Sequence, residues 1–238
     1  MGYIDFHTHI LPQMDDGSTC AEMSVDMMRM LKRQGVDALV ATPHFYPDDT
    51  DPNGFLNKRA TSAATLLSAV EGLGEDIPEI YLGAEVAYFD GMSASREIKK
   101  LCIEGTSVLL LEMPFCAWGK SELREISGLI DGAGITVVIA HVERYFKYIK
   151  KGILNELIDV GVIFQCNAGA FLSLKTRGMA LKLLNDGCVI GSDCHDIDKR
   201  CPNVESAVLV VEKKLGNAAI YDLASRSRKL LAGAERFI

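Results

Sequence analysis

The sequence predicts an α/β fold built on seven parallel strands, and three observations carry that prediction. Short apolar runs alternate with helical patterns along the chain. Runs such as Leu109-Leu110-Leu111 and Val137-Val138-Ile139 show no polar alternation, as expected of strands covered on both faces. Helix ends meet a glycine and then a strand at Gly35, Gly134, Gly161 and Gly187, the signature of a βα unit repeating every ~30 residues.

The elements follow in order. Tyr3–Phe6 reads as the first strand. Glu22–Gln34 is a helix with apolar residues at 23, 27, 28, 30 and 31, and Gly35 stops it. Ala38–Ala41 is the second strand. Phe55–Gly72 is an alanine-rich helix with Leu66, Leu67 and Val70 on one side. Ile80–Ala84 and Val108–Leu111 are the third and fourth strands. Helices at Ser121–Ala133, Ile153–Val160 and Met179–Asn185 precede the fifth, sixth and seventh strands, Thr136–Ala140, Ile163–Asn167 and Val189–Gly191. Two helices, Val204–Leu215 and Ala218–Leu231, complete the chain. No linker, charge block or low-complexity segment divides residues 1–238, so one domain is expected. The repeat suits an open doubly wound sheet or a closed barrel. Neither GxGxxG nor GxxxxGKS/T occurs, which removes the nucleotide-fold signals.

A net charge of −7 argues against a nucleic-acid partner, because phosphate backbones select clustered Lys and Arg. No apolar stretch is long enough to span a membrane. The first strand begins at once, with no basic and apolar leader, so secretion is not expected. Seven cysteines without a CxxC pair suit a reducing cytoplasm.

In parallel α/β folds chemistry gathers at the C-terminal ends of the strands. Those ends carry all five histidines. Strand one gives His7 and His9, two apart and so projecting together, then Asp15 and Asp16 in the following turn. Strand two gives His44, strand three Glu85, strand four Glu112. Strand five gives His141, with Arg144 three residues on. Strand six gives Asn167. Strand seven gives Asp193 and His195, with Arg200 five later. Taken singly, each has a plain structural reading: a hydrogen-bonded histidine, an ordinary Asp-Asp-Gly turn, a surface salt bridge. Taken together they read as one metal cluster. A His/carboxylate set without a cysteine pattern suits Zn²⁺, Mn²⁺ or Fe. About nine ligands are too many for one ion, so two or three divalent ions are expected, with Glu85 bridging. Three such ions would bring the charge of −7 to about −1 and present a cationic pocket to an anionic substrate.

Cys194 and Arg200 also satisfy the Cys-x5-Arg spacing of cysteine-dependent tyrosine phosphatases. That reading fails, because the intervening Asp196 and Asp198 would repel phosphate and Cys194 should alternate away from Asp193 and His195.

His7-x-His9, the acidic turn, His44, Glu85, His141 and Asp193-x-His195 resemble the motifs of the PHP (polymerase and histidinol phosphatase) superfamily. Asp5-Phe6-His7-Thr8-His9-Ile10-Leu11-Pro12, Asp15-Asp16-Gly17, Ala41-Thr42-Pro43-His44, Ala140-His141-Val142-Glu143-Arg144-Tyr145 and Gln165-Cys166-Asn167-Ala168-Gly169 look like its bacterial capsule-type tyrosine phosphatases, the CpsB/YwqE group. The resemblance runs from strand one through Arg200. It implies a distorted (β/α)7 TIM-like barrel, the PHP fold, and a metal-dependent protein-tyrosine phosphatase with manganese favoured. One ion would take His7, His9, Glu85 and Asp193. A second would take Glu85, Glu112 and His141. A third would take His44, His195 and either Asp15 or Asp16, the other orienting that ion or protonating the leaving group. Many superfamily members carry His where this chain has Glu112, a change that makes the site more anionic and harder. Arg144, Arg200 and Asp16 are the expected catalytic residues, the guanidinium forks matching phosphate oxygens.

The implied partner is a bacterial tyrosine kinase with a phosphotyrosyl tail that controls capsule or exopolysaccharide synthesis. The nearest rival is a histidinol-phosphate phosphatase on the same site. An amidohydrolase would want a lysine where strand four ends in Glu112, a DNA-processing relative is disfavoured by charge, and a non-catalytic metal-bound module by the full ligand set. The loop 45–54 and the segment 115–120, with the lone Trp118, are candidate pocket rims, and Trp118 equally suits packing against the barrel.

Overall fold

The apolar runs become strands that pair in parallel throughout. In the computed structural model, which describes residues 2–74 and 76–238, β1 (Tyr3–Thr8), β2 (Val36–Ala41) and β4 (Glu79–Leu82) form one sheet in the order β1-β2-β4. The other sheet runs β3-β5-β6-β7-β8-β9, from β3 (His44–Phe45) and β5 (Glu85–Ala87) through β6 (Val108–Glu112), β7 (Thr136–Ile139) and β8 (Ile163–Asn167) to β9 (Val189–Gly191). Each neighbouring pair is parallel.

The expected second strand, Ala38–Ala41, lies whole within β2, and past Pro43, whose nitrogen cannot donate to a ladder, the unexpected β3 begins. The expected third strand breaks at Gly83 and Ala84 into β4 and β5. Both breaks are spanned by neighbouring backbone: the Gly83 N–H donates to Ala41 O at 2.9 Å and the Glu85 N–H to Pro43 O at 3.0 Å. The sheet curls far enough to bring the chain after β9 beside the end of β1. There Thr8 and Cys194 form a parallel bridge, and the N–H groups of Asp193 and His9 donate to His7 O and Cys194 O at 2.8 and 3.0 Å.

Burial on both strand faces explains the unbroken apolar runs. Ile4, Phe6, Val40, Leu110, Val138 and Val189 pack in one cluster on the inside of the curl. Their alternate neighbours Leu39, Leu109, Leu111, Val137 and Ile139 pack in a second cluster, against helices. Helix α1 (Ala21–Arg33) supplies Val25, Met27, Met28 and Leu31 to that cluster. Helix α2 (Pro52–Val70) begins three residues before the sequence expectation, because the Asp51 carboxylate caps the Gly54 N–H at 2.8 Å and Pro52 occupies the first turn, where proline loses no bond. The expected helix 121–133 is α3 (Lys120–Ser127) followed by one π turn over Gly128–Gly132. Helices α4 (Lys151–Asp159), α5 (Ala168–Leu172), α6 (Arg177–Asn185), α7 (Val204–Leu215) and α8 (Asn217–Leu230) follow. Helix α5, directly after β8, was not expected. No helix among the described residues is long and apolar enough to cross a membrane.

One buried ion fastens a helix to the break above Glu85. Arg59 on α2 is 2% exposed; its guanidinium donates to Gly83 O at 2.7 Å and pairs closely with Glu104. Arg59→Ala should cost about 2–3 kcal/mol, from lost packing of the arginine stem and a buried carbonyl left without a donor. Urea denaturation measures this, and a loss below about 0.5 kcal/mol, the size of an ordinary surface change, would show that the clamp does not matter to stability.

Candidate metal centre

Glu85, the first residue of β5, sits at the middle of the strand ends and is 1% exposed. Imidazoles from three directions meet it. His7 Nε2 and His9 Nε2 lie 3.2 and 3.4 Å from Oε2, His44 Nδ1 lies 3.0 Å from the same oxygen, and His141 Nε2 lies 2.7 Å from Oε1. Burial alone would push the Glu85 carboxyl up, but the imidazoles of His7, His141 and His44 hold it well below the usual carboxylate range.

The ligand-type residues fall into three overlapping groups. In the first, His7 Nε2 and His9 Nε2 are 3.0 Å apart, and Asp193 Oδ1 stands 3.7 and 3.5 Å from them. In the second, Glu112 Oε1 is 3.5 Å from His141 Nε2 and Glu112 Oε2 is 3.9 Å from His44 Nδ1. In the third, Asp16 Oδ1 is 3.5 Å from His44 Nε2 and 3.2 Å from His195 Nε2. The His44 ring therefore faces the second group with one nitrogen and the third with the other. The sets His7/His9/Glu85, His44/Glu85/Glu112 and His9/Asp16/His44/His195 each offer donor atoms within 4.8 Å of one another.

Donors bonded to one ion at ~2.1 Å stand ~3.0–3.4 Å apart in octahedral or tetrahedral arrangements, so the first-group spacings already have the dimensions of a coordination shell. Glu85 Oε2, His44 Nδ1 and His195 Nε2 are buried without an aligned hydrogen bond, which natural cores rarely tolerate unless something else fills the valence. The residues fit divalent ions.

Asp15 and Asp16, adjacent in sequence, part company. Asp15 Oδ2 lies behind His9, 2.7 Å from Nδ1, and also accepts the His44 N–H at 2.9 Å; His9 holds its carboxyl far below the usual range against the effect of burial. It fixes the His9 tautomer so that Nε2 faces the cluster, the outer-shell role that carboxylates play for ligand histidines. Asp16 is 62% exposed on its side chain and faces the third group.

Neighbouring carboxylates and burial pull the rings in opposite directions. Burial disfavours the charged His141 ring, yet hydrogen bonds to Glu112 and Glu85 lift it to about 9. Burial likewise opposes a charged His9, but Asp15, Asp193 and Glu85 raise it well above its ordinary value. His195 moves the other way, to about 4, through burial and the charge on His9. Protonated rings here stand where divalent cations would, and ions entering would displace those protons.

Arg144 and Arg200 flank the first group. Both reach Asp193, Arg144 through a close pair with Oδ2 and Arg200 at 3.1 Å from Oδ1, and Arg200 also lies 3.3 Å from Asp16 Oδ2. Their side chains are 38% and 40% exposed, leaving donors free toward solvent.

The backbone is bent to hold these groups. His141 and Asp193 take φ of +30° and +54°, a region that costs a non-glycine residue energy and clusters at functional sites. Gln165, fully buried on β8, makes the His141 position possible. Its Oε1 accepts the His141 N–H at 2.7 Å and lies 3.0 Å from His7 Nδ1. Its Nε2 donates to Asn167 Oδ1 at 2.9 Å, and Asn167 donates to Asp193 Oδ2 at 2.8 Å. The sequence reading gave Gln165 no role because it took only residues at the strand ends; its position two residues before Asn167, on the same strand face, was the available signal. Asp5, whose Oδ1 accepts the N–H groups of Ser192 at 2.7 Å and His7 at 3.3 Å, was missed for the same reason. Gly191 has no room for a side chain, since a Cβ there would lie 2.6 Å from His7 Cβ.

The structure decides between the two readings of Trp118 and agrees with that of Cys194. Trp118 is no rim residue: it is 3% exposed, donates to Pro114 O at 2.9 Å and packs 5.0 Å from the Tyr145 ring. The rim aromatic of that segment is Phe115, and that of the loop 45–54 is Tyr46. Cys194 is fully buried, and burial pushes its thiol well above the ordinary value, the opposite of a nucleophilic cysteine.

The family described as capsular polysaccharide synthesis, CpsB/CapC, matches residues 3–231. The tyrosine-protein phosphatase YwqE of Bacillus subtilis is 27% identical over 240 residues, covering 96% of this chain and 91% of that protein. The tyrosine-protein phosphatase CpsB of Streptococcus pneumoniae is 27% identical over 232 residues, covering 90% and 91%. Among solved structures, one from crystallographic work on those two proteins, metal-dependent tyrosine phosphatases, superposes with a TM-score of 0.82 at 24% identity, covering 98% of this chain and 96% of the other. That likeness gives the fold: α/β, with a curled parallel sheet. With a match over nearly its whole length, the chain belongs to the CpsB/CapC family of capsular polysaccharide synthesis.

Proposed function

We propose that this protein is a metal-dependent protein-tyrosine phosphatase that removes phosphate from the tail of a bacterial tyrosine kinase governing capsule or exopolysaccharide synthesis. The observation that carries the reading is the buried Glu85 carboxylate ringed by four imidazoles beside two arginines. The names of the relatives supply the phosphotyrosyl substrate. The chain acts as one domain over 1–238, and the sheet as a distorted (β/α)7 barrel. The β1–β9 contacts support closure, with β2/β3 and β4/β5 each counting as one interrupted strand. Seven free cysteines support a cytoplasmic site.

His7, His9, Glu85 and Asp193 would hold one divalent ion, Glu85, Glu112 and His141 a second, and His44, His195 and Asp16 a third, with manganese favoured. Such ions supply a water activated near neutral pH and positive charge against the phosphoryl oxygens. Arg144 and Arg200 bind those oxygens, their planar forks matching two oxygens each. Asp193 holds both guanidinium groups at the entrance. A phenolate leaves readily, so the reaction asks little acid assistance of the chain.

Activity on a phosphotyrosyl peptide should vanish on chelation and return with a divalent ion, and should exceed activity on histidinol phosphate. Cys194→Ser should keep it and His7→Ala should lose it. Phosphate release from both substrates, with metal content measured on the same sample, decides this; preference for histidinol phosphate, or the reverse pattern in the two variants, would sink the reading.

The two aspartates are separable. Asp16→Asn should remove one ion per chain from the bound complement. Asp15→Asn should leave the count at saturating metal unchanged but weaken affinity about 10- to 100-fold, the usual cost of losing an outer-shell partner. Metal titration by calorimetry or mass spectrometry tells them apart, and an ion lost from Asp15→Asn instead would reverse the assignment.

A further inference from the structure

We propose that Phe115 and Tyr46 form the two walls of a slot for the aromatic ring of the substrate's leaving group. The inference rests on the tyrosine-phosphatase reading and adds the residues that select an aryl ester. Both side chains are large, apolar and open to water, Phe115 at 52% and Tyr46 at 41% exposure. Each is nevertheless anchored on a ring of the cluster: Phe115 lies 6.4 Å from His141 with planes 13° apart, and Tyr46 lies 5.1 Å from His44 with planes 21° apart. His141 and His44 both reach Glu85 and Glu112. The two aromatics therefore each cover a histidine that reaches Glu85 and Glu112, while the arginines meet at Asp193, Arg200 reaching on to Asp16.

That layout offers both parts of an aryl phosphate a partner, cations for the dianion and π faces for the ring. Phe115 is set in advance, because its inner side rests 5.1 Å from Tyr145, which itself packs on buried Trp118. A rigid wall needs little ordering when a ring docks. A seryl phosphate has no ring and would leave both walls wet.

The test uses matched phosphotyrosyl and phosphoseryl peptides of one sequence, with inorganic phosphate as inhibitor. Phe115→Ala and Tyr46→Ala should each lower the phosphotyrosyl-to-phosphoseryl ratio of kcat/KM about three- to tenfold, the effect of one lost ring contact. The loss should appear in KM rather than kcat. Phe115→Trp and Tyr46→Phe should restore the ratio, and inhibition by phosphate should be unchanged. An unchanged ratio, or equal losses on both peptides together with weaker phosphate inhibition, overturns the slot alone. Wild-type protein that hydrolyses neither peptide overturns the slot together with the phosphatase reading beneath it.

Discussion

The buried carboxylate of Glu85 is the constraint around which the rest is arranged. An ionised group in a protein interior costs several kcal/mol unless opposite charge surrounds it. Here the compensation comes from His7, His9, His44 and His141, carried by β1, β3 and the end of β7. The ends of β1 and β7 and the starts of β3 and β5 must therefore lie at the same level. The breaks at Pro43 and at Gly83–Ala84 serve that convergence, because they turn β3 and β5 into a separate run whose first residues, His44 and Glu85, pair directly.

The supporting groups follow from the same demand. Four rings pressed around one carboxylate cannot all take relaxed backbone, and the strain appears at His141 and, across the cluster, at Asp193. Both are tied to β8 by neutral amides, His141 to Gln165 directly and Asp193 to Asn167, which Gln165 holds in turn. A carboxylate in place of Gln165 would add negative charge where Glu85, Glu112 and Asp193 already gather. An amide accepts from His141 and donates to Asn167 without that cost.

Most of the frame was legible because its signals are periodic. The seven strand runs, their double-sided burial and the Gly-terminated helices depend on residue type and spacing alone. So did the convergence of five histidines, Glu85, Glu112 and Asp193, since parallel strands bring their C-terminal ends together whatever lies between. The breaks in β2/β3 and β4/β5 were not legible, because a strand interrupted by one Pro or Gly reads like a strand that merely ends. Asp15 and Asp16 could not be told apart, because a turn points successive side chains in directions fixed by φ and ψ rather than by spacing. The place of Trp118, rim or barrel packing, stayed open for a related reason: a loop aromatic packs where its indole N–H finds an acceptor, here Pro114 O, and no local pattern announces that.

Asp193 shows how one residue joins the cluster to its entrance. Its Oδ1 faces His7, His9 and Arg200, while its Oδ2 takes Arg144 and Asn167. The imidazoles and Arg144 hold it ionised against burial, so it remains an acceptor for both guanidinium groups. In the proposed reaction this means the arginines arrive ordered, with rotamer freedom already surrendered in the free protein. A phosphoryl group approaching the cluster then meets cations that need not reorganise, the condition under which electrostatic stabilisation of a transition state is most effective. The same carboxylate that completes a candidate ion's shell thus sets the anion-binding geometry, and the two functions cannot be altered independently by changing Asp193.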